Sequence, residues 1–223
     1  MYLSRIQLNR RRRDAWRLLS SPQRMHAAVL ASFVDPPTGD RDGDPRVLWR
    51  LDAETDDRLF LYVVSPDRPD FAHLAEQAGW PSIERGASKE YSAFLDALGT
   101  GQRWAFRLTA NPTRYHRPTD GGRAKRIAHV TVGHQEAWLA ERAATSGFRI
   151  VAPDEGATTL AVTRRSVQQF DRRGTPKPVT LAVAQFDGLL EVTDPAALRR
   201  VLVTGIGPAK AYGCGLLTLA PPR

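Results

Sequence analysis

The sequence predicts an α+β fold made of two tandem ferredoxin-like units, each running strand–helix–strand–strand–helix–strand. Three observations carry this reading. Alternating strand patterns and helix patterns follow that order twice along the chain. Two segments open with helix-start signatures, Ser21-Pro22 and Asp194-Pro195. A polar stretch around Pro118–Gly122 separates the two runs. The units are therefore expected over residues 1–118 and 123–223, with no residue-level repeat between them.

Tyr2–Leu8 (YLSRIQL) alternates and reads as a strand. The basic run Arg10–Arg13 follows, then Trp16, Leu18 and Leu19 in a short turn. Ser21–Phe33 (SPQRMHAAVLASF) reads as an amphipathic helix. Ser21 can cap it, Pro22 at the first helical position loses no needed hydrogen bond, and Met25, Val29 and Phe33 fall four apart on one buried stripe. Asp35–Pro45 is a loop by composition, Arg46–Leu51 and Arg58–Ser65 are strands, and Phe71–Gly79 is a short, weak helix. Gln102–Ala110 is a strong strand ended by Asn111-Pro112. In the second run, Arg126–Val132 is a strand and Gln135–Ser146 an amphipathic helix. Phe148–Val151, Thr159–Phe170 and Val179–Val192 are strands, Asp194–Val203 is a helix, and Leu216–Leu219 closes the unit.

Composition narrows the function. The 223 residues carry a formal net charge of +8. Residues 1–120 hold 18 Lys+Arg against 16 Asp+Glu, and residues 121–223 hold 14 against 8, so the second half is the more basic surface. Such an excess favours a polyanionic partner. One cysteine, Cys214, leaves no disulfide framework and no multi-Cys zinc site. No long apolar run or leader pattern is present, which points to a cytoplasmic protein without membrane attachment.

Four motifs bear on chemistry. His26 sits one step round from the apolar stripe of its helix, where it is either a histidine with a satisfied hydrogen bond or a group facing a ligand. Gly205–Gly215 (GIGPAKAYGCG) joins a helix to the last strand; it is either a tight connection or a loop whose amides approach phosphates beside the Lys210 charge. It is neither a Walker loop nor GxGxxG. Arg164, Arg165, Arg172, Arg173 and Lys177 form a basic set on a long strand and the turn after it, with Arg123, Lys125 and Arg126 as possible extensions. Asp40-Arg41-Asp42-Gly43-Asp44 is no calcium loop, because its glycine is misplaced and Leu51 stands where a glutamate is needed. His73, His116, His129 and His134 read as structural, and no metal site is expected.

One histidine, a phosphate-approaching loop and no metal suit RNA cleavage, because RNA carries its own nucleophile. The 2′-hydroxyl attacks the adjacent phosphorus, and the protein holds geometry, moves protons and steadies negative charge.

The start MYLSRIQLNR, the Met25-His26 helix, Phe106–Pro112 (FRLTANP) and above all Gly205–Pro221 (GIGPAKAYGCGLLTLAP) resemble the CasE family, the CRISPR-associated endoribonuclease of the type I-E system. The resemblance spans essentially the whole chain. It implies tandem ferredoxin-like domains and cofactor-free, metal-independent cleavage of CRISPR repeat RNA at its hairpin base. It also implies that the protein, a monomer when isolated, stays on the RNA as a subunit of the Cascade complex. His26 matches the family's catalytic histidine, the Lys210 loop its glycine-rich loop beside the RNA, and Arg164–Lys177 its basic ribbon. Where the family often has tyrosine three residues before the histidine, this chain has Gln23. The expected roles are then proton transfer by His26, as acid or as base, and charge stabilisation by Lys210. Gln23 or Arg24 would position the phosphate, and the basic set would grip the stem. Gly205, Gly207 and Gly213 would approach the RNA, and Tyr212 would stack on a base or fill the gap left by the missing tyrosine. The rival readings are an RNA-hairpin-binding subunit with weak or no activity, and a structural protein whose basic face docks other subunits.

Overall fold

The computed structural model describes residues 1–37, 44–54, 58–81, 86–117, 122–152, 158–171 and 178–222. The first unit contains β1 (Tyr2–Leu8), α1 (Arg13–Leu19), α2 (Pro22–Leu30), β2 (Leu48–Ala53), β3 (Leu59–Ser65), α3 (Ala72–Ala78) and β4 (Ala87–Glu90). Its strands lie in the order β2-β3-β1-β4, every pair antiparallel. That is the ferredoxin-like arrangement, with α1–α2 as the first crossover and α3 as the second.

A short helix α4 (Ser92–Asp96) leads into the second unit. It comprises β5 (Arg103–Ala110), β6 (Thr113–His116), β7 (Lys125–Ala128), α5 (Val132–Ala143), β8 (Phe148–Ile150), β9 (Ala161–Phe170), β10 (Val179–Val192), α6 (Pro195–Thr204) and β11 (Leu217–Ala220). The order is β11-β5-β10, with β8 and β9 sharing the far edge of β10. The same topology therefore occurs twice.

The junction differs from the expected one. The strand over residues 103–110 opens the second sheet instead of closing the first, pairing with β10 at eight positions and with β11 at four. The first sheet is closed by β4, which has three polar residues in four and is mostly exposed, and so carries no strand pattern. The expected break at 118–123 falls between β6 and β7, which pair only with each other. The expected strand Arg126–Val132 is thus half of a hairpin, and Val132 already begins α5. Trp16, Leu18 and Leu19 belong to a helix, α1, and α2 ends at Leu30, leaving Phe33 beyond it.

Two apolar clusters form the core. One packs α1–α3 on the first sheet through Met25, Val29, Trp49, Leu61 and Leu74. The other packs α5 and α6 on the second sheet through Trp138, Phe186, Leu198 and Leu202, and it includes Leu48 and Val64 from the first sheet. Along β2, alternate residues serve the two clusters in turn. No helix among the described residues is long and apolar enough to cross a membrane.

A polar latch joins the units. Arg50 on β2 is 2% exposed. Its Nε and one Nη donate to Asp52 at 2.7 and 2.8 Å. The remaining N–H groups donate to the Arg107 carbonyl at 2.9 Å, the Leu216 carbonyl at 2.9 Å and Thr218 Oγ1 at 2.8 Å. All five guanidinium donors are satisfied. Arg107 in turn holds Asp187 at 2.6 Å. Burial pushes the Asp187 carboxyl up, but hydrogen bonds from Arg107, Thr163 and Gln185 outweigh that and hold it below the ordinary carboxylate value.

Arg50→Met leaves Asp52 buried with only Arg107 nearby and is expected to cost about 3–5 kcal/mol in urea unfolding. Arg50→Met combined with Asp52→Leu is expected to recover part of that loss, because no unpaired charge then remains buried.

Candidate functional site

Helix α2 is set by its first turn. Ser21 caps it, accepting from the Arg24 N–H at 3.5 Å, with Pro22 at the first helical position. Met25 and Val29 are buried, at 1% and 0% exposure, which leaves His26 half-buried at the edge of the apolar face. From α3, His73 Nε2–H donates to the Ala28 carbonyl at 2.9 Å and helps hold the helix, as expected for a structural histidine.

His26 has a partner that its sequence neighbourhood does not suggest. The buried Trp49 donates its indole N–H to His26 Nδ1 at 3.4 Å. Indole nitrogen is a donor only, so Nδ1 must be the acceptor and the neutral ring carries its proton on Nε2. Burial lowers the histidine's pKa from its ordinary value.

The ring lines a pocket of about 200 Å³ with Leu30, Pro36, Pro37, Arg46, Val47, Lys210 and Ala211. Two cations and an imidazole stand among apolar walls, with no carboxylate among the described lining residues, and this suits an anion. His26 and Lys210, singled out separately in the sequence, are thus brought together. Lys210–Tyr212 form a single 3-10 turn packed beside α2.

Four amides of the glycine-rich loop are engaged within the protein. The Gly205 N–H donates to the Val201 carbonyl at 2.8 Å, Ile206 to Gly215 at 2.9 Å, Tyr212 to Ala209 at 2.9 Å and Gly215 to Thr109 at 2.7 Å. These amides hold the loop's own shape, so Gly205 has none to offer a phosphate, and the charge comes from the Lys210 side chain. Gly213 is buried at φ 78°, and a Cβ there would lie 2.7 Å from the Trp49 ring. The absence of a side chain lets Trp49 carry the loop on its face while it holds His26. Tyr212 rests edge-on against Phe170 at the end of β9, with ring centroids 4.8 Å apart. Gly207 lies on the other side of the loop, over Trp138.

Gln23 and Arg24 do not line the His26–Lys210 pocket. With Ser20, Ala27, Gln169 and Asp171 they border a separate open groove toward the end of β9. The buried Gln23 Oε1 has no hydrogen-bond partner. Arg164 and Arg165 do not form one basic face, because neighbouring strand residues point opposite ways. Arg164 lines a cleft of about 260 Å³ with Arg10 and Trp16, whereas Arg165 reaches the Val130 carbonyl at 3.3 Å. Arg172, Arg173 and Lys177, and most of the Asp40–Asp44 loop, lie outside the described residues. Burial pushes the Cys214 thiol up to about 12, so it is no nucleophile.

Trp49 and Arg46 are the site residues that sequence reasoning missed. In RVLWRL they read as strand residues, and only the pairing of β2 brings them to α2.

A family model described as "CRISPR associated protein" matches residues 1–221. A curated relative from Thermus thermophilus, the CRISPR-associated endoribonuclease Cse3, is 32% identical over 231 residues, covering 99% of this chain and 100% of that protein. The CRISPR system Cascade subunit CasE of Escherichia coli is 34% identical over 186 residues, covering 78% of this chain and 88% of that protein. A solved structure of CRISPR endoribonuclease Cse3 bound to 19-nucleotide RNA superposes with a TM-score of 0.81 at 30% identity, covering 99% and 100% of the two chains.

Trp49→Phe keeps the packing on Gly213 but removes the donor to Nδ1, which favours the neutral ring. The His26 pKa, followed by NMR of its imidazole, is expected to rise toward the ordinary histidine value. An unmoved titration would show that burial alone sets it.

Proposed function

The chain belongs to the CRISPR-associated protein family that includes the endoribonuclease Cse3 and the Cascade subunit CasE, and from that premise we propose that it is a metal-independent endoribonuclease cutting CRISPR repeat RNA at the base of its hairpin. It then stays on the cut RNA as a Cascade subunit, working in the cytoplasm. The observation that carries this reading is the convergence of His26, Arg46 and Lys210 on one pocket.

The 2′-oxygen attacks phosphorus as its proton passes to water, and the bond to the 5′-oxygen breaks as that oxygen takes a proton, giving a 2′,3′-cyclic phosphate and a 5′-hydroxyl. Lys210 and Arg46 supply positive charge where the phosphorane-like transition state gathers negative charge. His26 donates toward the leaving 5′-oxygen. With Nδ1 engaged by Trp49, the ring presents Nε2–H, which suits a leaving group and not abstraction of the 2′-proton. Completing the transfer takes the imidazolium, which burial disfavours in the free protein. A phosphodiester anion beside the ring opposes that effect, and the long Trp49 bond gives way as Nδ1 takes a proton. Arg164, Arg172, Arg173 and Lys177 grip the stem, while Gln23 and Arg24 meet the RNA beside the pocket.

A second reading, an RNA-hairpin-binding subunit with weak or no cleavage, is favoured by Gln23, which lacks the phenolic proton of the tyrosine that the family often carries there.

Purified protein incubated with its repeat RNA in excess chelator is expected to give cyclic-phosphate ends. His26→Ala should bind normally and cleave about 10²–10⁴-fold more slowly, and Lys210→Ala about 10²-fold more slowly. RNA bound but uncut by the wild type would establish the second reading.

With His26 as the acid, the single-turnover rate should fall as pH rises above the ring's pKa in the complex, because the imidazolium is then lost. A rate that rises instead would assign it the base role. His26→Ala should lack this pH limb.

A further inference from the structure

The β6–β7 hairpin is an excursion that the βαββαβ plan does not require. It stands between β5, the first strand of the second unit, and α5, its first helix, and forms a two-stranded sheet of its own. Two strands alone are marginally stable in water. This pair is tied down by the His129 N–H on the Pro112 carbonyl at 2.9 Å and the Gln135 amide on the His129 carbonyl at 2.9 Å.

What it holds out is an aromatic ring. Tyr115 is 72% exposed, with the Arg126 guanidinium over its face at 5.1 Å and an Arg126 N–H on its hydroxyl at 2.6 Å. An exposed ring fixed in orientation by a cation is a platform on which an unpaired base stacks.

Tyr115, Arg114 and Arg126 line a pocket of about 400 Å³ with Arg142 on α5 and Gly207-Pro208 of the glycine-rich loop. Arg142 lies over the Trp138 ring at 4.2 Å and donates to the Trp138 carbonyl at 3.0 Å. Among the described lining residues, three guanidinium groups face one carboxylate, Glu141, which is itself largely exposed and 3.8 Å from Arg142. Pro208 precedes Lys210 by two residues, so no more than about 7 Å of backbone separates the two lining positions. The loop is therefore a shared wall, with the reactive pocket on one side and the basic, aromatic pocket on the other.

We propose that the Tyr115–Arg142 pocket is a subsite for an unpaired nucleotide of the RNA, flanking the phosphate held at His26 and Lys210; this rests on reading the chain as an RNA endonuclease. Tyr115 stacks on the base, and Arg114 and Arg142 hold the adjoining phosphate. Only single-stranded RNA fits this account, because the bases of a duplex are already stacked on each other.

The test compares Tyr115→Ala/Arg126→Ala with the wild type on three RNAs: the repeat hairpin with single-stranded flanks on both sides, with the 5′ flank only, and with the 3′ flank only. Binding is read at fixed salt alongside single-turnover cleavage. The double variant is expected to bind flanked RNA about tenfold more weakly, to lose little on one of the two single-flank RNAs, and thereby to reveal which flank occupies the subsite. Tyr115→Phe, which keeps the stack, should bind like the wild type. Equal losses on both single-flank RNAs would reduce the pocket to general electrostatic attraction and overturn the subsite. Unchanged RNA binding with weakened assembly into Cascade would make it a protein interface instead. Because binding is read separately, a wild type that binds flanked RNA without cutting it would defeat the nuclease reading alone, and the comparison would still decide the subsite.

Discussion

The buried guanidinium of Arg50 is the constraint on which the arrangement of the two units depends. Placing that charge out of water costs several kcal/mol unless every donor is met. Here two donors go to Asp52 on the same strand and three go to β5, Leu216 and β11 of the other unit. A small misalignment of the units would strand a donor in the dry junction, so the latch contributes more to alignment than to net stability. The apolar contact through Leu48 and Val64 supplies adhesion without register. The alternation of a strand carries the alignment one residue along: with Arg50 fixed on one face of β2, Trp49 is fixed on the other, where it meets His26 and Gly213.

The site is thus assembled from parts that have no local relation. Helix α2 brings the imidazole, β2 brings Trp49 and delivers Arg46, and the loop before β11 brings the ammonium. Trp49 sits at the centre of this assembly, holding a ring nitrogen with its N–H and the loop with its face. The loop's rigidity comes from amides bonded to its own surroundings, which leaves a side chain to carry the charge toward a ligand.

Much of the fold was legible because it rests on local signals. Ser21-Pro22 and Asp194-Pro195 begin helices where expected, and Asp194 accepts from both Ala196 and Ala197. The strongly alternating strands also stand within a residue or two of their expected bounds. The junction was not legible, because β4 is too polar to show a pattern and the sequence between β6 and β7 has a linker's composition. At the site, His26 and Lys210 stood out by residue type. Trp49 meets His26 only through tertiary packing, and composition does not report that the Gly205 amide points back to Val201. The splitting of Arg164 from Arg165 was available from strand alternation alone, which separates adjacent residues however similar their charge.

The chain order of the latch bears on how such a protein is made. The acceptors contributed by Leu216 and Thr218 lie 166 and 168 positions after Arg50, and Lys210 is among the last parts of the pocket to leave the ribosome. The earlier unit can fold as it emerges, but it does so with its imidazole facing no lysine. In an RNA-cutting enzyme built in this order, the pocket is incomplete until the loop bearing Lys210 has emerged.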